Sequence, residues 1–495
     1  MGNSAQALLL FQRALTISEK ALGLQHTRTA IPLGNLASLY QDMGDYTQAL
    51  PLFQRALAIR EKVLGPDHPR TAISLSRLAS LHRDMKDYTH ALPLAQRAVT
   101  IHERALGAMH PHTATSLYTV ATLYRDMGDY KKALQFSERC VFAQDQVFRN
   151  VFAATSETQK LLFVQKSQEP SFMALSLIAM HFPNDPAAVR LGLEIVLRRK
   201  GIVLDAQAKT QQTLAAELHG DALRSWQQLI QARSALAHLL LRGPGQRSVP
   251  EYRRVINELQ GTIAHEESFL AQQSSVAVPE LAQQQITAQK LAARLPRDGL
   301  LIEFVHVQDF DEQQKKWSNT WRYLGFVLTP ENQVHLIDIG DAQAVDSQIE
   351  KTLSVINIPN QELATHFTAV AHKADATLAA LSRMVLEPLC PHIGTYAQLI
   401  VSPDGELNRV PFAALRTQDD RYLIEHVSLA YVASGRDLLQ DKERAPRRWT
   451  FCWWPIPPLT VAMDSVGQFW LRQLNEPATS TTDLLHCLGP RKKLR

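Results

Sequence analysis

The first 150 residues carry one pattern of apolar positions several times over. Ala7, Ala49, Ala91 and Ala133 stand 42 residues apart. The same spacing relates Leu22-Gly23 to Leu64-Gly65 and Leu106-Gly107, His26 to His68 and His110, Thr29-Ala30 to Thr71-Ala72 and Thr113-Ala114, and Asp45-Tyr46 to Asp87-Tyr88 and Asp129-Tyr130. A fixed period of this length means stacked units that bury their apolar faces against one another. Within one unit Leu33, Leu36, Ala37 and Tyr40 fall at i, i+3, i+4 and i+7, a stripe on a first helix, and Ala49, Phe53, Ala56 and Leu57 form a similar stripe on a second. Gly44 and Asp45 turn the chain between them. The small alanines let helices approach closely, and Tyr46 and its equivalents fill the wedge between pairs. Met1 falls at the edge of a second helix, so the first unit is expected to be a half-repeat, either naturally capped or read from a late start codon.

The pattern then changes twice. From Glu157 to Pro296 Leu, Ala and Gln dominate without a period, and Pro183-Asn184-Asp185-Pro186, Gly243-Pro244-Gly245 and Pro279 punctuate four to six helices. One amphipathic helix ends in Arg198-Arg199-Lys200 beside Gly201. The favoured reading is a helix C-terminus with cations on the negative end of its dipole, over a patch for phosphate or an acidic partner. From Leu300 the period becomes that of strands. Leu300 to Val307, Trp321 to Leu328 and Gln333 to Ile339 are parted by a polar loop at Gln308 to Lys316 and by Pro330-Glu331-Asn332. Amphipathic helices near Ala342 to Val355 and Phe367 to Cys390 lead to a buried strand at Leu399 to Ser402, the crossover that a parallel sheet needs. Pro403-Asp404-Gly405 ends that strand, and Val410 to Leu415 lays an apolar segment back against the core.

Composition narrows the class. Of 495 residues 45% are apolar and 20% charged, which describes a folded chain with more than one core. A net charge of +4 on 52 basic and 48 acidic residues is too near balance to imply nucleic acid. No secretory leader, myristoylation signal or membrane-spanning run is visible, so no membrane partner is expected and the expected location is the cytoplasm. Cys140, Cys390, Cys452 and Cys487 include no CxxC and read as reduced thiols, with neither a disulfide framework nor a metal site. The recurrent histidines sit in Gly-x-x-His loops a whole repeat apart, which suits turn or capping roles. No cofactor is expected, and nothing sets an oligomeric state.

The periodic region resembles the tetratricopeptide repeat, in the 42-residue variant found in kinesin light chains and many bacterial signalling proteins. That resemblance implies a concave face, lined by first helices, that binds a protein or an extended peptide. The positions concerned are Asn35, Ser38, Arg77, Ser80, Thr119 and Thr122. An Asn commonly clamps the ligand backbone, and here the clamp position reads Asn35, then Arg77, then Thr119, which argues for a specialised or intramolecular partner. The later parts look like the CHAT domain, a caspase-like cysteine peptidase domain found behind such arrays. These parts are Leu301 to Phe304, Arg322 to Leu328, Ser402-Pro403-Asp404-Gly405, Leu407-Asn408 with Pro411 to Leu415, and Ser434-Gly435-Arg436-Asp437. The Leu-Arg-Arg-Lys-Gly at 197–201 also looks like the segment preceding that domain.

The family implies a Cys-His dyad in motifs of the form His-Ala-Thr-His-Gly and Ser-Ala-Cys, C-terminal to Ser-Gly-Arg-Asp, and neither motif occurs in this chain. The thiolate needs a nearby imidazole, and in the family that it resembles the two come from separate strands, which an adjacent His-Cys pair does not reproduce. Cys452 lies among tryptophans, Cys487 directly follows His486, and Ser402 lacks the Gly-x-Ser-x-Gly elbow. No catalytic residue is therefore assigned. From Arg447 to Arg495 the composition lurches. Joining the last base of each codon to the first two of the next lets Arg448 to Pro455 yield Val-Asp-Leu-Leu-Leu-Val-Ala, an apolar strand. The tail is accordingly expected to be out of frame after a shift near Asp441 to Arg448, leaving a truncated product. The DNA beyond the stop codon tests this, since a lack of both motifs in the alternate frame rejects it.

The expected fold class is α plus α/β. An N-terminal α-solenoid (1–150) leads through a helical connector (151–298) to an incomplete caspase-like domain (299–440) and an aberrant tail (441–495). The expected function is that of a protein–protein interaction module of a CHAT-type lineage, catalytically inactive as this chain. A natural pseudo-peptidase scaffold, or an endopeptidase active only in a full-length form, is the alternative.

Overall fold

The computed structural model describes residues 2–152, 163–164, 167–200, 220–242, 249–273, 286–356, 360–394, 396–417, 419 and 421–439. Seven helices come first: α1 (Gly2–Leu22), α2 (Ala30–Asp42), α3 (Tyr46–Leu64), α4 (Pro69–Asp84), α5 (Tyr88–Leu106), α6 (Pro111–Asp126) and α7 (Tyr130–Phe152). Their starts are written in the repeat. The Asp45 and Asp87 carboxylates accept from the backbone N–H of Gln48 and His90, capping α3 and α5. The His68 and His110 side chains accept from Arg70 and His112, capping α4 and α6, and each is followed by proline at the first helical position. Two of the recurrent histidines are thus helix caps, and His26 accepts in the same way from the Arg28 N–H. Ala49, Ala91 and Ala133 are wholly buried, while Leu33, Phe53, Leu75, Leu81, Leu117 and Leu123 fill the interior. Tyr46, Tyr88 and Tyr130 pack part-buried against it.

The next helix, α8 (Glu169–His181), belongs to two cores at once. Its Met173 and Leu177 pack with Leu117, Ala121 and Cys140 of the solenoid. Its Leu175 and Ile178 pack with α9 (Pro186–Arg199) onto a sheet. Two further helices, α10 (Gly220–Arg242) and α11 (Val249–Gln273), meet around Leu229 and Leu270, and the short α12 (Ala288–Ala292) leads into the sheet.

That sheet has five strands, β1 (Gly299–Asp311), β2 (Lys316–Leu328), β3 (Val334–Asp341), β4 (Gln398–Ser402) and β5 (Ser428–Tyr431), in the order β3-β2-β1-β4-β5. The pairs β1–β2 and β2–β3 are antiparallel, whereas β1–β4 and β4–β5 are parallel. The crossover from β3 runs through α13 (Ala342–Ile356) and α14 (Asn360–Val385) and returns beside β1, not β3. Because β1 is covered on both faces, it reads as a continuous apolar run. Leu300, Ile302 and Phe304 face Val345, Ile349, Leu381 and Val385. Leu301, Val305 and Val307 face Leu175, Val189, Leu193 and Leu291. One of the two helical layers therefore comes from the helices before the sheet. The architecture is a helical solenoid followed by a mixed sheet with helices on both faces, α plus α/β.

One element differs from expectation. The polar loop placed at Gln308 to Lys316 is largely strand, since β1 runs to Asp311 and β2 starts at Lys316. The hairpin outgrows its own sheet, so its solvent-side residues are polar, and its apolar Phe310 and Trp317 pack on the solenoid instead.

Candidate functional site

First helices α2, α4 and α6 lie side by side, tied by a ladder of polar contacts. Gln41 donates to Asp84 Oδ2 at 2.6 Å. Arg83 donates to Thr122 Oγ1 at 3.2 Å and approaches Asp126 at 3.8 Å. The Ser76 and Ser116 hydroxyls meet at 3.1 Å. Along this row the structure places Asn35 and Ser38 on α2, Arg77 and Ser80 on α4, and Thr119 and Thr122 on α6. The first five are partly exposed, whereas Thr122 is buried and donates to the Thr119 carbonyl at 2.8 Å. Arg77 lies over Gly34, where a Cβ would come within 2.5 Å of its Nη1, and burial lowers its pKa.

The hairpin of β1 and β2 closes over the C-terminal end of this row. Phe310 lies under the Arg125 guanidinium at 3.6 Å, and Trp317 packs into the α5–α6 core. Lys315 donates to the Tyr88 hydroxyl at 2.8 Å and to the Asp126 carbonyl. Glu312 meets His181 of α8 at 2.6 Å. Arg125 is itself buried, paired with Asp126 at 2.9 Å, and desolvation lowers its pKa.

A second polar cluster joins α9 to the sheet. Glu303 on β1 is wholly buried in a strand otherwise apolar around it. Lys200 reaches it at 2.9 Å and also donates to Ser402 Oγ at 2.7 Å, the Ser402 carbonyl at 2.8 Å and the Phe304 carbonyl at 2.9 Å. Ser402 Oγ donates to Glu303 Oε1 at 2.8 Å, and the Gly435 N–H donates to Glu303 Oε2 at 2.6 Å. A Cβ on Gly435 would fall 2.6 Å from Leu301 and 3.0 Å from Glu303 Oε2, so only glycine brings its N–H this close. The Arg436 guanidinium donates to the carbonyls of Leu197, Arg198 and Lys200, satisfying the end of α9.

The basic triplet does end a helix, with Arg198 and Arg199 in the last turn of α9 and Lys200 as its C-cap, and the structure adds its partners. Arg198 and Arg199 both pair with Asp145 of α7 at 2.9 Å, Lys200 enters the sheet, and Arg436 adds a further cation on the last carbonyls of the helix. The triplet is therefore more than a dipole cap and is not an open anion patch, because Asp145, Glu303 and Ser402 from distant segments claim it. A Ser–Lys contact of 2.7 Å invites comparison with serine–lysine catalysis. Here Lys200 is ion-paired with Glu303, and Ser402 has no exposed surface for a substrate to reach. The cluster is structural.

Beyond β4, Asp404 Oδ2 accepts from the His306 N–H at 2.8 Å, and the Glu406 N–H donates to the Tyr323 hydroxyl at 3.0 Å. Tyr323 in turn donates to Asp346 at 2.9 Å, and burial pushes its phenol pKa up. Gly405 holds φ at 55°, with a Cβ there only 2.6 Å from the Tyr323 hydroxyl. His306 stacks between Trp321 and Tyr323, at 4.6 and 4.9 Å, and burial lowers its pKa. The segment Ser402 to Phe412 is thereby pinned as a wall at the C-terminal ends of the parallel strands.

The Tetratricopeptide repeat family matches residues 1–62, 28–104 and 74–141, and the CHAT domain family matches residues 375–450. Residues 1–141 thus match tetratricopeptide repeats, and residues 375–450 match a CHAT domain. Among solved structures, a crystal structure of a single-site variant of kinesin light chain nearly identical TPR-like repeats from Podosopora anserina is 23% identical over 43% of this chain and 90% of its own, with a TM-score of 0.31. BtubC (BKLC) from P. vanneervenii is 16% identical over 44% and 77%, also with a TM-score of 0.31. No curated protein matches the chain. The repeats point to protein–protein interaction and the CHAT match to a caspase-like lineage. Among the described residues no helix is long and apolar enough to cross a membrane.

Of the cysteines, Cys140 is buried, with its thiol pushed up to about 12 by desolvation, and Cys390 is half-buried and also raised. Neither is poised as a thiolate. Cys452, Cys487 and the tail from 441 lie outside the described residues. Sequence reasoning passed over Glu303 and Lys200 as partners. The available signal was a carboxylate and a hydroxyl, Glu303 and Ser402, beside the apolar runs of β1 and β4, since buried polar groups require partners.

Proposed function

We propose that this chain is a protein-binding scaffold of the CHAT lineage without peptidase activity of its own. A protein or extended peptide is received along α2 and α4, where Asn35, Ser38, Arg77 and Ser80 lie. At the other end of the row, next to Thr119 and Thr122, the chain's own hairpin is the ligand. The observation that carries the reading is this occupancy: Phe310, Lys315 and Trp317 sit on α5 and α6 beside the clamp row. It matches the drift of the clamp position from Asn35 to Arg77 to Thr119, with the family residue kept only where the row is not covered. Inactivity rests on the missing His-Gly and Ser-Ala-Cys motifs and on the unreactive setting of Cys140 and Cys390. For the tail beyond 440, the out-of-frame origin remains part of this proposal, with the same DNA test.

Peptides selected from a displayed library against the purified chain should lose about tenfold in affinity, or about 1.4 kcal/mol, with Asn35→Ala or Arg77→Glu. Equal binding by wild type and both variants rejects the face. The same preparation should turn over no member of a quenched-substrate peptide library, and sustained turnover overturns the inactivity.

A further inference from the structure

One turn of the solenoid departs from its neighbours in a chemically specific way. At the junction of α4 and α5 the chain reads His82, Asp87 and His90. The positions 42 residues to either side read Tyr40, Asp45 and Gln48, and Tyr124, Asp129 and Lys132. Only the capping aspartate recurs. Both residues flanking it become histidine in this repeat alone.

The fold brings the three together. Asp87 Oδ2 lies 3.0 Å from His82 Nδ1 and 2.7 Å from His90 Nδ1. The three candidate donor atoms all lie within 4.8 Å of one another, and the two imidazoles stack with centroids 5.4 Å apart. The turn is preformed, because the Asp87 N–H donates to the His82 carbonyl at 2.8 Å. Asp87 Oδ1 is engaged by the Thr89 hydroxyl at 2.7 Å and the His90 N–H at 3.3 Å, which leaves Oδ2 for the rings. In the next repeat the same carboxylate takes a lysine, with Lys132 Nζ on Asp129 Oδ2 at 2.8 Å. One cation partner is therefore all that the turn needs, and a second titratable ring goes beyond that role.

We propose that His82, Asp87 and His90 form a surface site for a borderline divalent cation of the Zn²⁺ class. Two imidazole nitrogens and one carboxylate oxygen suit zinc, cobalt or nickel over the hard cations magnesium and calcium. Tetrahedral bonds of about 2.0–2.2 Å put adjacent ligands roughly 3.3–3.6 Å apart, so the two nitrogen–oxygen separations open by a few tenths of an ångström or more on binding. The remaining nitrogen–nitrogen edge closes by rotation of His90, whose side chain is 73% exposed. Each ring ligates through Nδ1 in the tautomer that carries its proton on Nε2. The three residues supply three donors, which leaves a fourth position open. It is filled by water or by a donor group from a bound protein.

The test uses the purified full chain, stripped with chelator and titrated with ZnCl₂ against a chromophoric competitor. His82→Tyr and His90→Gln restore the residues of the neighbouring repeats. Wild type should bind one equivalent more than either variant, and Co²⁺ should give visible d–d absorption in wild type only. Equal stoichiometry in all three proteins, or no binding by wild type, overturns the site. His90→Gln alters an exposed position, so circular dichroism should show that variant folded even if His82→Tyr is not.

Discussion

Glu303 takes its meaning from what surrounds it. A carboxylate with no exposed surface is tolerated only because a lysine, a hydroxyl and a backbone N–H converge on it. Lys200→Met should lower stability by about 3–5 kcal/mol in denaturant unfolding, because it strands a buried charge, and adding Glu303→Gln should recover part of the loss. Strict additivity of the two changes would show that the pair is not coupled. His102 makes a different statement. Its ring meets Ser116 Oγ at 2.8 Å and the Pro69 carbonyl at 3.1 Å, and desolvation lowers its pKa from 6.5. The unfolded chain then binds the proton more readily than the folded one. The stability is complete above pH 6.5 and declines as pH falls below it toward the depressed folded value. Urea midpoints should therefore drop between about pH 7 and 5, and His102→Gln should flatten that slope. An unchanged slope would remove His102 as the cause. The equivalent residue one repeat earlier, Arg60, reaches Ser74 at 2.8 Å, so the anchoring position was legible in the period while its titration was not.

At the scale of elements, the sequence revealed whatever its periodicity encodes. The 42-residue repeat located the helix pairs, their caps and their turns, and strand alternation located the sheet's interior strands. The outer part of the β1–β2 hairpin was hidden because its apolar residues serve another element. Phe310 and Trp317 look like isolated aromatics in polar sequence until α5 and α6 are placed beneath them. Trp317 meets Phe310 edge-on at 5.4 Å and Phe172 at 6.5 Å, and its removal should loosen the hairpin from the solenoid. Hydrogen exchange at residues 309–318 should quicken by about tenfold in Trp317→Ala, with residues 300–305 unchanged. Uniform quickening through β1 would mean that the hairpin is held by the sheet instead. The clamp row was readable as a set of positions. That Thr122 is drawn inward by Arg83 was not, because the ladder linking first helices runs between residues about 40 apart.

In the whole molecule the solenoid and the sheet share a boundary layer. Helix α8 contributes to both cores, and Asp145 of α7 holds Arg198 and Arg199 of α9. A sequence divided by changes of period suggests three consecutive parts, but long-range charge pairs cross those divisions without leaving a periodic trace. Asp145→Asn should leave the largely enclosed Arg199 without its counter-charge, at a cost of about 1–3 kcal/mol, and should separate the unfolding of the repeats from that of the sheet. A single unaltered transition in that variant would place the coupling in the apolar layer alone.

The cap that Arg436 places on α9 sets an order of events during synthesis. The repeats close through contacts within neighbouring units and can form while the ribosome is still adding residues. The carbonyls at the end of α9 must wait for residue 436, more than two hundred positions downstream of the helix, and Lys200 must wait for Glu303 and Ser402. A nascent chain stalled before that point would present a finished repeat array carrying an unsealed, charged shelf. That is the stage at which a partner able to recognise the array meets a chain whose second half is still uncommitted.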